Sequence, residues 1–284
     1  MTATFRRMRA YTLVEMMVAL LLSSMIILSV GHWYIDANRS YALSSGRESV
    51  THGARLALEL IRKSVEKAGY RAINTEDLGA VLAVDQVFEQ GGALPWHLAQ
   101  VIGGHQLLEG GVNGLSASTV DSESDAIVVR YEAFDRLTPA GWQPAINCSG
   151  NPLEAGNVVT DIYYIRRTRD SHGLACLSLR GEGHYDRPSM MVEGVSHLKV
   201  LFGESVDEIG SIQYSLERDV HDWRAVRSIR VAMIVGSPNP IPGATRDSIE
   251  WALFDASQAI EIPNDNRLSH AFFQTYFLKS IDSK

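Results

Sequence analysis

Nothing in this 284-residue sequence is spaced like a zinc, nucleotide or nucleophile site. Its nine histidines include no HxxH or HExxH pair, and neither Cys148 nor Cys176, the only cysteines, has a histidine pair nearby. Those absences remove the usual zinc frameworks. Gly181-Glu182-Gly183 lacks the third glycine of a dinucleotide turn, and no lysine follows a glycine loop in the Walker manner. Gly114-Leu115-Ser116-Ala117-Ser118 lacks the closing glycine of a nucleophile elbow, which leaves Ser116 as a turn residue. Basic residues do not dominate: 26 Lys and Arg against 33 Asp and Glu give a net charge of −7. A phosphate backbone calls for the opposite field, so nucleic acid is not an expected partner. Internal repeats and low-complexity tracts are also missing. The expectation is a chain with no catalytic role and no cofactor.

What is present starts with one long apolar run. Met16 to Ile35 reads MMVALLLSSMIILSVGHWYI and carries no formal charge apart from a protonated His32. As a helix it spans about 30 Å, the thickness of a bilayer's hydrocarbon core. Ser23, Ser24 and Ser29 can return their hydroxyls to carbonyls of the preceding turn. His32, Trp33 and Tyr34 stand where an interfacial belt belongs, and Arg6, Arg7 and Arg9 before the run keep the N-terminus cytoplasmic. A cleaved signal peptide would require a small-x-small site after the run; the bulky residues at 32–34 disfavour one. Glu15 opens the run. An ionised carboxylate there either snorkels to the headgroups or needs a cation in the same low-dielectric layer.

Residues 9–22, Arg-Ala-Tyr-Thr-Leu-Val-Glu-Met-Met-Val-Ala-Leu-Leu-Leu, resemble the prepilin processing site of type IV pilins and type II secretion pseudopilins. In that family a basic leader is cut before an aromatic or apolar residue, the new N-terminus is methylated, and a glutamate stands fifth in the mature chain. The resemblance implies cleavage between Ala10 and Tyr11, methylation of the Tyr11 amine, and an assembly role for Glu15. One departure is Ala10, where the family carries glycine; it bears on how efficiently the leader is cut. Cleavage would create the cation that Glu15 lacks, presented by a staggered neighbouring subunit.

Residues 36–68 contain no proline, and Val50, Ala54, Leu58, Ile61, Val65 and Ala68 recur at steps of three and four. One helix is expected from Tyr11 to Ala68, with Glu59–Lys63 and Arg62–Glu66 pairs on its surface, possible bends at Gly31, Gly46 and Gly53, and a stop at Gly69. Beyond it the chain reads as β. Strands are expected at 126–132, 158–166, 174–179, 198–202, 212–216, 228–235 and 271–278, and residues 70–125 as a long connection with little regular structure. The fold class is therefore α+β: a long N-terminal helix, membrane-spanning in its first half, packed on a C-terminal antiparallel sheet domain. Its divisions fall at 1–10 (leader), 11–35 (transmembrane half), 36–69 (periplasmic half of the helix) and 70–284 (periplasmic domain).

Beyond the membrane both cysteines meet an oxidising compartment, where Cys148 and Cys176 either pair or remain as two buried thiols. Asp121, Glu123 and Asp125 form the densest acidic group and a weak calcium candidate. The glycine and terminal glutamate of a calcium loop are missing, which favours a solvated loop entering a strand. Asp265 between Asn264 and Asn266 is weaker still.

Lys67-Ala68-Gly69-Tyr70-Arg71, Ser124-Asp125-Ala126-Ile127-Val128-Val129-Arg130-Tyr131-Glu132, a valine-led strand ending in Phe202-Gly203 and the 227–235 strand resemble the PilW-type minor pilins. That resemblance implies a place in a priming or tip complex of a type IV pilus. Its partners would be other minor and major pilins, the prepilin peptidase, the inner-membrane assembly platform and a tip adhesin, with lipid around the helix before assembly. A J-type minor pseudopilin of a type II secretion system has the same plan and is the alternative.

Overall fold

A computed structural model describes residues 12–71, 100–104, 124–139, 141–168, 171–180, 184–206, 210–241, 249–251, 253–254, 260–262 and 266–279. In chain order the elements are helix α1 (Leu13–Val65) and strands β1 (Ile102–Gly103), β2 (Ile127–Glu132), β3 (Arg136–Thr138), β4 (Gly141–Gln143), β5 (Val158–Arg167), β6 (His172–Arg180), β7 (His184–Tyr185), β8 (Ser189–Glu193), β9 (Val195–Ser205), β10 (Ile212–Ser215), β11 (Val226–Gly236), β12 (Ile249–Trp251), β13 (Ile260–Ile262) and β14 (Ser269–Phe277). The fold is one long apolar-ended helix packed on antiparallel sheets, the α+β plan.

Two sheets carry the domain. The first has the order β1-β2-β5-β6-β7, with β8 also pairing β6; the second has the order β10-β9-β11-β14. A hairpin of β3 with β4 and another of β12 with β13 stand apart. The central strands of the first sheet are buried on both faces, which is why β2 and β5 read as nearly unbroken β-branched and aromatic runs instead of alternating. The sheets are joined where β2 begins. Asp125 accepts the Val200 N–H at 2.9 Å and meets Lys199 Nζ at 3.2 Å, while its own N–H goes to Leu198 O at 2.8 Å. Gly194 makes the turn from β8 into β9 at φ +86°, and a side chain there would strike the Gly236 carbonyl.

The helix lies against β8, β11 and β14, and its buried stripe, Val50, Ala54, Ala57, Ile61, Val65 and Ala68, joins the main core with both sheets. Burial of a residue such as Ile61 contributes roughly 1.5–3 kcal/mol. Leu58 is only partly buried; Ala57 and Ser64 hold positions that hydrophobic periodicity did not assign. The helix runs unbroken through Gly31, Gly46 and Gly53. Gly53 lies where Val192 and Val235 approach, and Gly46 is closely covered by Ile241, so these two serve contact with the domain.

All seven expected strands are present, with β9 and β11 longer than their apolar centres suggested. Short strands β1, β3, β4, β7, β8, β12 and β13 were not expected, because runs of two to five residues carry little periodic signal. One of them, β1, falls inside the 70–125 stretch that the sequence suggested to be a connection.

Candidate functional site

Two places on the helix carry chemistry: its bare N-terminal half and the buried cluster where it ends. From Leu13 to Ser49 no residue is buried, and the large apolar side chains from Leu13 to Ile35 stand 48–78% exposed. The apolar window within the helix has a mean hydropathy of 2.3, and none of it is covered by the domain. At 1.5 Å per residue, Leu13–Ile35 spans about 35 Å, long enough to cross a bilayer. Its hydroxyls are already satisfied: Ser23 donates to Ala19 O at 2.7 Å, Ser24 to Leu21 O at 2.8 Å and Ser29 to Met25 O at 2.8 Å. No polar side-chain group of these serines is left to oppose an apolar surrounding.

The start of this segment is a capping box that Thr12-Leu13-Val14-Glu15 spells out. Thr12 Oγ1 accepts the Glu15 N–H at 3.3 Å, and Glu15 Oε2 accepts the Thr12 N–H at 3.0 Å. Glu15 is thus held in place by its own helix terminus. The Thr12 hydroxyl also points to Oε2, at 3.3 Å; among the described residues Oε1 accepts no hydrogen bond. Ala10 and Tyr11 lie outside the described residues, as do Asp121, Glu123 and Asp265 of the acidic groups. Asp125, the remaining member, is committed to Lys199 and Val200 and serves to join the sheets.

The helix closes at Gly69, with φ +70°, whose N–H donates to Arg130 O at 2.9 Å. One residue on, Tyr70 O accepts the Glu132 N–H at 3.0 Å, and the Tyr70 ring packs on Phe134 with centroids 4.0 Å apart. Ser64 and Tyr163 share a buried hydroxyl bond at 2.8 Å, and Tyr276 Oη donates to Leu58 O at 2.8 Å. The segments 67–71 and 124–132, singled out separately in the sequence, therefore meet: the helix end is tied to the backbone of β2.

Beneath this junction lies Asp161, fully buried on the core-facing side of β5. Tyr131 Oη donates to its Oδ2 at 2.9 Å and the Cys148 N–H reaches Oδ1 at 3.4 Å. Burial drives its carboxyl above the usual aspartate range, with Ser178, Lys67 and Tyr131 acting in the opposite direction. Lys67, half-buried, sits over the Tyr131 ring at 4.9 Å and donates to Ile146 O at 3.2 Å; burial lowers its ammonium pKa, and the Asp161 charge partly restores it.

Cys148 and Cys176 are disulfide-bonded, with Cα atoms 6.2 Å apart, linking the loop after β4 to the centre of β6. Asn147 shapes that loop by accepting the Ser149 and Asn151 N–H groups at 3.0 and 2.9 Å, while its amide donates to Asp186. Cys148, Asp161 and Cys176 bring two sulfurs and a carboxylate within 4.8 Å of one another. With the sulfurs joined to each other, the trio offers no thiolate to a metal. Asp161 went unnoticed in the sequence, although a lone acid among the apolar residues of VVTDIYYIR was a visible signal.

Residues 162–280 match the family model described as Type IV Pilus-assembly protein W, and residues 5–31 match the Prokaryotic N-terminal methylation motif. Among solved structures the chain is similar to the Type IV-like pilin TTHA1219 from Thermus thermophilus, with 13% identity, a TM-score of 0.45, and coverage of 81% of this chain and 96% of that one. The search of curated proteins returned no match. The bare apolar helix and its motif fit a membrane-anchored pilin, and the match over residues 162–280 supports a type IV pilus minor pilin of the PilW family.

Proposed function

We propose that the chain is a minor pilin of the initiation or tip complex of a type IV pilus, a structural subunit with no catalytic role. The observation that carries this reading is the helix itself, bare from Leu13 to Tyr41 and buried along one stripe from Val50 onward. In the inner membrane, lipid covers the bare half; in a fibre, the helices of neighbouring subunits replace lipid. The leader 1–10 is removed between Ala10 and Tyr11, residues 11–35 form the assembly half, 36–69 continue the helix in the periplasm, and 70–284 form the periplasmic domain. Arg6, Arg7 and Arg9 support a cytoplasmic N-terminus. Other pilins, the prepilin peptidase and the inner-membrane assembly platform are the partners, and a tip adhesin is one candidate cargo.

Glu15 has the assembly role. Its Oε2 is occupied by the cap and its Oε1 is open, so the carboxylate can keep Thr12 and still receive the methylated Tyr11 amine of a neighbour. At ~4 Å and an effective dielectric near 20 the attraction is about 4 kcal/mol before desolvation is subtracted. A net 1–2 kcal/mol suffices for roughly a tenfold preference for assembly.

The test separates charge from cap. Glu15→Gln keeps a carbonyl acceptor for the Thr12 N–H and removes the charge; Glu15→Ala removes both; Thr12→Ala weakens the cap alone. Quantitative blotting of membranes and sheared fibres is expected to show normal membrane levels for all three. Fibre incorporation should fall roughly tenfold or more for both Glu15 variants and little for Thr12→Ala. Normal incorporation of Glu15→Gln would remove the assembly role.

A further inference from the structure

The second sheet ends on β14, which pairs with β11 along its whole length and with no described residue on its other side. Other sheet ends are short: β1 and β7 have two residues each and β10 has four, against nine in β14. A long free edge is ordinarily blunted with lysine, proline or a bulge. Ser269–Phe277 reads SHAFFQTYF, contains no lysine or proline, and keeps register with β11 without a shift.

The direction of its backbone groups follows from two hydrogen bonds. Leu278 N–H donates to Arg227 O at 2.9 Å, and Leu268 O accepts from Ser237 N at 2.8 Å. Even-numbered residues therefore face β11, and Ala271, Phe273, Thr275 and Phe277 turn N–H and C=O to the open side. There, Thr275 O receives the side-chain amide of its neighbour Gln274 at 3.4 Å, a weak substitute for a ladder bond.

Alongside the edge runs the helix. His52, Arg55, Leu56 and Glu59 face Thr275 and Phe277 across a groove of about 760 Å³. Its apolar contributions are Leu56, 43% exposed, and Phe277, 62% exposed; Phe273, 54% exposed, lies on the outer face against Phe254 with ring centroids 5.9 Å apart. The acids here are taken: Glu59 and Glu66 each hold Arg62 at 2.6 Å, and Glu66 also holds Lys279 at 3.0 Å. Among the described residues, Arg55 has no acid partner, so this wall keeps an uncompensated positive charge.

We propose that this edge receives an extended strand donated by another protein chain. The strand adds to β14 through the outward backbone groups of residues 271, 273, 275 and 277. It lays alternate apolar side chains on Leu56 to one side and on Phe273 and Phe277 to the other, and it carries a carboxylate opposite Arg55. Backbone pairing supplies affinity, and Arg55 selects the acidic donor. The inference requires a polypeptide partner but no pilus, so it stands or falls separately from the N-terminal processing.

The test uses the full-length protein in detergent micelles and two fluorescent nonapeptides of alternating valine and threonine, one with a central aspartate and one with a central lysine. Saturable binding of the aspartate peptide, at least tenfold tighter than the lysine peptide, is expected by anisotropy, with slowed amide exchange at Phe273, Thr275 and Phe277. Thr275→Pro removes an outward N–H without breaking a bond to β11 and should abolish binding with the melting temperature retained. Phe273→Lys, at an exposed site, provides a second edge-blocking variant that should also abolish it. Arg55→Glu should reverse the peptide preference. Three results would overturn the proposal: no saturable binding of either peptide, binding unaffected by both edge variants, or amides at 273, 275 and 277 already as protected in the unliganded protein as those at 272, 274 and 276. The last would mean that the edge is covered by its own chain or by a second copy.

Discussion

One helix with two halves provides the most instructive comparison in this molecule. Both halves are helical in the same unbroken element, yet from Leu13 to Ser49 nothing is buried, while from Val50 to Val65 every turn contributes to the core. The second half is held by the domain: Ile61 and Ala57 in the core, Ser64 on Tyr163, and Gly69 and Tyr70 on the backbone of β2. Up to Tyr41 the first half is held only by its own hydrogen bonds and cap, and its apolar surface awaits lipid or other helices. The domain thus fixes the direction of the helix at its far end and leaves the near end free to exchange surroundings. The helix meets the sheets through its buried stripe and through the bonds of Gly69 and Tyr70 to β2, a junction beside which the Cys148–Cys176 disulfide lies.

That contrast predicts unequal mutational effects, each measurable on the full-length protein in detergent. The largest belongs to the junction. Replacing Cys148 and Cys176 together by alanine frees a loop of sequence separation 28 and should lower domain stability by about 3–4 kcal/mol in urea unfolding. A loss under about 1 kcal/mol would mean that the Lys67, Tyr131 and Asp161 contacts already hold the loop. Next comes a matched pair along the helix. Ile61→Ala should cost the domain about 3 kcal/mol, whereas Ile27→Ala, at a site 70% exposed, should cost less than about 0.5 kcal/mol. Equal costs would erase the distinction between the halves.

Smaller still is the cap. Thr12→Ala should destabilise the first turn by about 1 kcal/mol, seen as faster amide exchange near Glu15 with an unchanged domain melting temperature. The last effect is one of slope. Burial holds the Asp161 proton to a higher pH in the folded protein than in the unfolded chain. The associated stability is complete below about pH 3.9 and is lost as pH rises through the elevated folded value. Lys67, Tyr131, Tyr163 and the Cys148 N–H all face or influence this carboxyl. Asp161→Asn removes the titration, so the variant's stability relative to wild type should improve as pH climbs from about 4 toward neutrality. An identical pH slope in both proteins would show that Asp161 titrates in the folded protein as it does in the unfolded chain.

Much of this was legible before any coordinates. Val50, Ala54, Ile61 and Val65 announced the buried stripe because a periodicity of three and four is a property of helices alone, and seven strands were visible as β-branched and aromatic runs. Glu59–Lys63 and Arg62–Glu66 followed from spacing and are present at 4.0 and 2.6 Å. Ser64 and Ala57 were not assigned, since a hydroxyl carries no hydrophobic signal and the larger Leu58 took the place in the period that Ala57 fills; their burial comes from Tyr163 and from sheet packing across the chain. Asp161 could be noticed as an oddity but not interpreted, because its partners Tyr131, Cys148 and Lys67 meet it only in three dimensions. The cap at Thr12 is carried by four residues, a threonine followed three positions on by a glutamate, at the edge of an apolar run whose hydropathy is the stronger signal. The open edge of β14 depends on topology and could not have been read from its nine residues.

The central claim is that the bare half of the helix is a processed pilin N-terminus, and intact-mass and fragment spectrometry of the protein recovered from membranes tests it most directly. The account predicts a chain that begins at Tyr11 with a methylated amine. A mature protein that still begins at Met1, in cells that make working fibres, would contradict it.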